Sequence, residues 1–545
     1  MGSEAGTDTG GKRRFGAGII IAAIIVSALT TAGITYLLVS IFQHKQEAKN
    51  PYLRFVKITD QTTDPKPWGL NWPREYNGYM KTAMATRTNF GGGDADPAQK
   101  AKMFPWLTRM FAGYAFAIDY RDRRGHAYML FDQEHTRRIT ERAQPGACLN
   151  CHSSVVPTYS RLGDGNLAAG FEKLCKMSYK DAHAEVEKTG SSNPVWNGTV
   201  QEMKPEQGAH PVSCVDCHDP DTMRLRVNRP PFLAGIKALK ESQGVKDYDA
   251  NRDATRQEMR TFVCAQCHVE YYCGPKVPAF YPWNNGVTVD QIESYYDQYK
   301  FPDGHTFYDW VHAETGAELL KAQHPEFETW NQGVHARSGV TCADCHMPYR
   351  REGAMKVSEH WVRSPLLNVA QACQQCHPYP ETELSARVKA IQDRNYSLLQ
   401  RAGTALTDML DTVALVRKPF NESNQAAAET KAKEELSKDE AYAKLPADDQ
   451  QKKLEQKKKS VLDGLWAAHV QQDEQLKKLA ALHRRGQWRL DYVAAENSMG
   501  FHAPQETARV LGDAIDFLRQ AQLLGAKLLP AGAGYPVTTE PPKEK

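Results

Sequence analysis

An uncharged run from Phe15 to Phe42, rich in Ile, Ala and Leu, follows the basic cluster Lys12, Arg13 and Arg14. A secretory signal needs about 7–15 apolar residues and a spanning helix about 20, so this run is predicted to cross a membrane. The basic cluster favours a cytoplasmic tail at 1–14, an anchor at 15–42 and export of everything beyond it. Cleavage after a small residue is the alternative, and it exports the chain equally. Residues 43–75 read as an extended connector carrying Pro and charge. From 76 to 380 the pattern is irregular, with frequent Gly, Pro and aromatic residues and only short periodic runs.

The character changes over 381–545. Val388, Ile391, Leu398, Ala402, Leu406, Met409, Leu410 and Val413 recur three, four or seven apart, which predicts a long amphipathic helix closed by Pro419. A Lys/Glu/Ala/Gln-rich stretch at about 424–460 reads as a solvated helical insertion. Helical spacing resumes from Trp466 to Tyr492 and from Pro504 to Leu529. Helices of this length suit a bundle or a subunit interface.

Composition changes this picture little. The 545 residues are 41% hydrophobic and 24% charged, and a formal charge of +3 gives no dense basic face for nucleic acid. The cysteines change it decisively. Ten of the 12 fall in five Cys-x-x-Cys-His motifs: Cys148, Cys151, His152; Cys214, Cys217, His218; Cys264, Cys267, His268; Cys342, Cys345, His346; and Cys373, Cys376, His377. Two thiols at this spacing add to the vinyl groups of one haem, and the next residue ligates its iron. Zinc is the competing use of paired cysteines, but five such motifs, each ending in His, in an exported chain point to haem. The fold expected is mainly α, a multihaem cytochrome c with five closely packed haems, little β structure and long C-terminal helices. Cys175 and Cys273 are left over, as a disulfide or as buried thiols. Five irons take up to ten axial ligands, and the chain has 18 histidines. Residue type alone does not say which of them ligate, or whether one iron stays open to a substrate.

Gly-Tyr-Ala-Phe (113–116), Arg-Gly-His (124–126), Cys-His-Val-Glu-Tyr-Tyr (267–272), Lys-Ala-Gln-His (321–324), the run from His335 to Pro348 and Asn-Ser-Met-Gly-Phe-His (497–502) give the sequence a strong resemblance to the pentahaem ammonia-forming cytochrome c nitrite reductases. The resemblance implies distal ligands His360 for the haem of His218, His126 for that of His268, His502 for that of His346 and His335 for that of His377. It implies an open, catalytic first haem at Cys148 and Cys151, with Arg138, Tyr271 and His324 in its distal pocket. There a fixed guanidinium holds a small anion, and histidine and tyrosine deliver protons. It also implies a calcium site formed by Glu270, Tyr271, Lys321 and Gln323, with oxygen ligands throughout. As partners it implies nitrite as substrate, a membrane quinol-oxidising multihaem cytochrome as electron donor and a second copy of the chain in a homodimer. The location implied is the periplasmic face of a bacterial inner membrane.

The sequence departs from the common form of the family at His152, where lysine is usual, and in the length added at 424–460. Two other readings compete with nitrite reduction. One is a non-catalytic electron-transfer cytochrome, with a spare histidine such as His135, His183, His210, His305 or His312 closing the first iron. The other is a related enzyme turning over hydroxylamine or sulfite.

Overall fold

The computed structural model describes residues 2, 16–49, 54–93, 97–188, 210–274, 277–301, 303–353 and 355–538. They fall into two units, one ending at Lys57 and the other starting at Ile58. In the first, α1 (Ala17–Lys49) is one continuous helix, and its stretch to Lys45 is long and apolar enough to cross a membrane. Ile, Leu and Val are exposed on every face, the pattern of a helix whose surroundings are themselves apolar. The helix runs to Lys49 instead of ending at Phe42, and short helices at Pro65–Asn71 and Pro73–Met80 replace much of the expected extended connector. Lys12, Arg13 and Arg14 lie outside the described residues.

In the second unit, strands occur among the described residues only as two-stranded antiparallel pairs. Through residue 380 the chain is a series of short helices and turns. Three of them recur below: α2 (Cys214–Cys217), α3 (Arg256–Ala265) and α4 (Cys342–His346). The hairpin of β1 (Tyr272–Gly274) and β2 (Val277–Phe280) lies between α3 and α4. Cys175 is a buried free thiol whose pKa burial pushes up to about 12. The side chain of Cys273, on β1, lies outside the described residues.

The C-terminal region supplies the largest core. Helix α5 (Glu381–Ser437) buries Leu399, Ala402, Leu406, Met409, Leu410 and Val413. This stripe packs with α7 (Glu474–Ala495) through Leu479, Trp488 and Leu490, and with α8 (Pro504–Lys527) through Val510, Leu511, Ala514, Leu518 and Ala521. A Cβ on Gly486 would lie 2.7 Å from Leu518 Cγ, so α7 and α8 cross where only glycine fits.

Two boundaries differ from the sequence pattern. Pro419 does not end α5, although its ring removes one N–H and crowds the carbonyl one turn back. Neighbours on both sides carry the helix through. Arg417 donates to the Ala313 carbonyl at 2.6 Å and pairs with Asp463 at 2.6 Å, while the Phe420 ring stacks on His469 at 4.9 Å. Conversely, the run from Trp466 to Tyr492 is two helices. Asp473 ends α6 (Ala447–Gln472) and caps α7, its carboxylate accepting from Gln475 N and Leu476 N at 2.9 Å. The charged stretch at 424–460 is a helical hairpin made by the end of α5 and the start of α6. Its own small seam comprises Ala428, Ala432, Leu436, Leu454, Val461 and Leu462.

Candidate haem and metal centres

The second and fourth cysteine motifs begin at helix caps. Thr341 and Asp344 form a reciprocal capping box at the start of α4, with Asp344 N to Thr341 Oγ1 at 3.2 Å and Thr341 N to Asp344 Oδ2 at 2.8 Å. At the start of α2 one half of this arrangement is present, Ser213 N donating to Asp216 Oδ2 at 2.8 Å. Each cap sits immediately before the first cysteine, so the two thiols and the histidine emerge from one helical turn. The capping carboxylates also hold arginines, Arg260 to Asp344 at 2.6 Å and the fully buried Arg229 to Asp216 at 2.9 Å. Arg229 donates in addition to the carbonyls of Asn150 (2.6 Å) and Ser153 (3.0 Å), tying the first motif to the second.

The motifs lie against one another. Cys151 is in contact with Cys267, and Cys264 with Cys342. Cys217 is near Cys264 and Cys267, and Cys345 is near Cys373 and Cys376. The third motif therefore neighbours the first, second and fourth, and the fourth neighbours the fifth.

Four motif histidines each face a second histidine ring. The centroid separations are 6.2 Å for His218–His360, 6.3 Å for His126–His268, 6.4 Å for His346–His502 and 6.3 Å for His335–His377. Two imidazoles on opposite sides of one metal, each bonded at about 2 Å and adding about half a ring width, put their centres roughly 6 Å apart. The donor set and its spacing thus fit a haem iron between the members of each pair. Main-chain carbonyls orient several of these rings by accepting from Nδ1, which leaves Nε2 for a metal: Met223 for His218 (3.0 Å), Arg363 for His346 (3.0 Å) and Ser358 for His360 (2.9 Å).

His152 is oriented in the same manner, Nδ1 donating to the Met129 carbonyl at 2.8 Å, yet no second histidine ring faces it among the described residues. Among the described residues no spare histidine pairs its ring with His152; His210 shares the carbonyl-bonded Nδ1 of the ligand candidates and keeps a buried, unpartnered Nε2, and the others are engaged elsewhere. His135 stacks on Phe131 at 4.0 Å, and His183 pairs with Glu134. His210 bonds the Pro211 carbonyl at 2.8 Å, His305 lies beside Asp303 at 3.2 Å and His312 donates to the Arg109 carbonyl at 2.9 Å.

Around the first motif, half-buried Arg138 stacks on the Phe116 ring at 4.2 Å and lies within electrostatic reach of Cys148 and Tyr271. His324 is within reach of His152, and its N–H donates to the Val269 carbonyl at 3.3 Å. Its Nδ1 accepts from Arg123 Nη2 at 2.6 Å, so the ring proton sits on Nε2. Burial, followed by the Arg123 charge, holds the His324 pKa well below the usual histidine value. Arg123 is absent from the residues expected on sequence grounds. Its signal is an arginine directly before the Arg-Gly-His run, indistinguishable there from a surface charge.

Glu270 is fully buried, and burial raises its carboxyl pKa well above the usual range. Its oxygens accept from Gln323 N at 2.6 Å and from the Tyr296 hydroxyl at 2.8 Å. Two of the expected calcium residues are thereby adjacent through the Gln323 main chain, and a buried carboxylate oxygen is a donor that a hard cation fits. Lys321 is fixed by its side chain: buried Nζ lies 3.1 Å from buried Asp491 and faces the rings of Phe111, Phe116 and Tyr120. Asp491 also accepts from Ala322 N at 2.9 Å, so it anchors this segment on α7, a role the sequence pattern did not single out.

Cysteine turns built for thioether attachment and facing histidines on a mainly helical frame define a multihaem c-type cytochrome. The chain belongs to the cytochrome c552 family, whose profile matches residues 64–545. It is 32% identical to a cytochrome c-552 of Parabacteroides distasonis over 473 residues, 85% of this chain and 76% of that one. It is 31% identical to one from Aliarcobacter butzleri over 519 residues, 92% of this chain and 84% of the relative. The fold is similar to that of the cytochrome c nitrite reductase of Desulfovibrio desulfuricans, with a TM-score of 0.65 and 28% identity across 87% of this chain and 88% of that one. The catalytic subunit of that enzyme has two calcium sites. The protein is accordingly a nitrite-reductase-like cytochrome carrying covalent haem c.

Proposed function

We propose that the protein reduces nitrite to ammonium in a six-electron reaction at the first of five haems, the one attached to Cys148 and Cys151. The observation that carries this reading is the asymmetry among the motif histidines: four face a second imidazole at 6.2–6.4 Å, whereas the ring of His152 faces none among the described residues. The haem at His152 supplies a redox-active iron with one position for substrate. Arg138, seated over the Phe116 ring, binds the anion and stabilises negative charge as the N–O bonds break. His324 holds a proton on Nε2 because Arg123 occupies Nδ1, and Tyr271 holds a second donor proton on its hydroxyl. Glu270 and Gln323, with the carbonyls of Tyr271 and Lys321, hold a calcium ion that fixes the pocket wall.

His360, His126, His502 and His335 complete the other four irons as electron relays. On this reading α1 anchors the enzyme to the inner membrane, facing the periplasm. A quinol-oxidising multihaem cytochrome donates the electrons, and the long C-terminal helices pair two copies. The similarity to the nitrite reductase of D. desulfuricans favours nitrite over sulfite, and the arginine beside the first motif favours an anion over neutral hydroxylamine. Turnover of the three substrates by purified holoenzyme with a low-potential donor tests the choice. Nitrite is expected to be reduced to ammonium at a rate at least equal to the others, and nitrite as the slowest overturns it.

A further inference from the structure

The axial histidines differ in what accepts their Nδ1 proton. His152, His218, His346 and His360 donate to main-chain carbonyls at 2.8–3.0 Å. His268 has its nearest carboxylate, Glu326, at 3.9 Å, beyond hydrogen-bond reach. Among the described residues, His502 alone of these bonds a carboxylate, with Nδ1 2.6 Å from Glu496 Oε1. Glu496 is 4% exposed and follows the last residue of α7. The chain turns back through Met499 and Gly500, both at positive φ (51° and 78°), and so returns His502 to face Glu496. Ser498 secures the turn from inside: its N–H (3.0 Å) and hydroxyl (2.8 Å) donate to the same carboxylate, and its Oγ accepts from His502 N at 3.0 Å. Three donors on one buried carboxylate favour its ionised form.

We propose that Glu496 is a positioning residue that sets one relay apart, holding the haem of Cys342 and Cys345 at a lower reduction potential than its hydrogen bonding would otherwise give. The proposal rests on the assignment of His346 and His502 as the ligands of that haem. With Nε2 on iron, the Nδ1–H of His502 donates to a full negative charge. The imidazole gains imidazolate character and becomes a stronger donor to the metal, which favours the ferric state. The fixed charge, buried where screening is weak, acts in the same direction. The fourth motif lies between the third, through Cys264 and Cys342, and the fifth, through Cys345 and Cys373. An electron crossing between those neighbours therefore passes a site that holds it weakly, and it does not rest there.

The test is a redox titration of the full-length holoprotein, followed optically and by electron paramagnetic resonance, on preparations shown to contain five haems. Glu496→Gln keeps an oxygen acceptor and removes the charge; one low-spin couple is expected to move to higher potential while the other four stay in place. Glu496→Asp keeps the charge, and its couple is expected to lie below that of the Gln variant. Ser498→Ala withdraws a competing donor from the carboxylate and is expected to move the same couple downward. Unchanged couples in Glu496→Gln, or an upward shift in Ser498→Ala, overturn the proposal. Fewer than four bis-histidine signals in the unsubstituted protein overturn the ligand assignment itself, and the proposal with it. The two failures are thereby told apart.

Discussion

Arg138 and His324 show how much a side chain's role depends on what holds it. The Arg138 guanidinium lies on Phe116, a ring that also faces the Lys321 ammonium at 4.9 Å. Phe116 thus links the arginine to the segment that carries Gln323 and His324. A charge held on a rigid aromatic face loses little entropy when an anion arrives. Replacing Arg138 with Gln is expected to lower kcat/KM for nitrite by roughly 10²–10³-fold, the cost of removing one preorganised donor. Haem content should be unchanged. Lysine at the same position should recover only part of the loss, because an ammonium lacks the planar fork. Steady-state ammonium production checks both variants, and wild-type rates for Arg138→Gln would remove this residue from the site. None of this was legible in composition. Arg138 is marked only by a family resemblance and Phe116 only as the end of the Gly-Tyr-Ala-Phe run, while nothing in the sequence marks Arg123 or Asp491. Their partners lie far off in sequence: 201 residues separate Arg123 from His324, and 170 separate Lys321 from Asp491.

Among the elements, the long helices were the most legible, because a stripe of apolar residues at helical spacing has few other uses. Leu406, Met409, Leu410 and Val413 on α5 and Val510, Leu511, Ala514 and Leu518 on α8 are all buried. Pro419 has the sequence signature of a stop for a physical reason. Local propensity disfavours proline inside a helix by about 3 kcal/mol, and tertiary contacts at Arg417 and Phe420 outweigh it. Pro419→Ala is therefore expected to raise resistance to denaturant by roughly 1–3 kcal/mol. Chemical denaturation monitored by far-UV circular dichroism measures this, and a destabilised variant would show that the proline itself shapes α5.

A second element-level device joins α7 to the distant turn at His312 and Thr315. His312 donates from Nε2 to the Arg109 carbonyl at 2.9 Å, and its Nδ1 accepts from Thr315 N at 3.2 Å. The Thr315 hydroxyl lies 3.0 Å from Nδ1 of His483, whose Nε2 meets Gln487 Oε1 at 2.8 Å. Both rings are fully buried, and burial lowers the His312 pKa from 6.5 to about 4. Above pH 6.5 the ring is neutral in both the folded and the unfolded chain. Below that value the unfolded chain takes up a proton that the fold refuses, so this contribution is lost as pH falls toward 4. Buried Asp309 and Glu328, raised to about 7 and about 8, act in the opposite sense, so the test is a difference. The stability advantage of wild type over His312→Gln should shrink by roughly 3 kcal/mol between pH 7 and pH 4. A constant gap would contradict the account.

At the scale of the whole molecule, the five Cys-x-x-Cys-His motifs were fully legible, and their order in space was not. Each motif is local and is read in five residues; at the fourth, the cap formed by Thr341 and Asp344 lies directly before it. The facing histidines are not local: His126 faces His268 and His218 faces His360 across more than a hundred residues, with no periodicity to announce the pairing. Nor does spacing show that the third motif lies among the first, second and fourth. Packing determines that arrangement, and it makes one histidine unlike the rest. The ligation state of the haem at Cys148 and Cys151 tests this most directly. Low-temperature electron paramagnetic resonance combined with near-infrared magnetic circular dichroism on oxidised holoprotein should count four bis-histidine low-spin haems and one high-spin haem. Five six-coordinate irons, all closed by protein ligands, would contradict an open catalytic site.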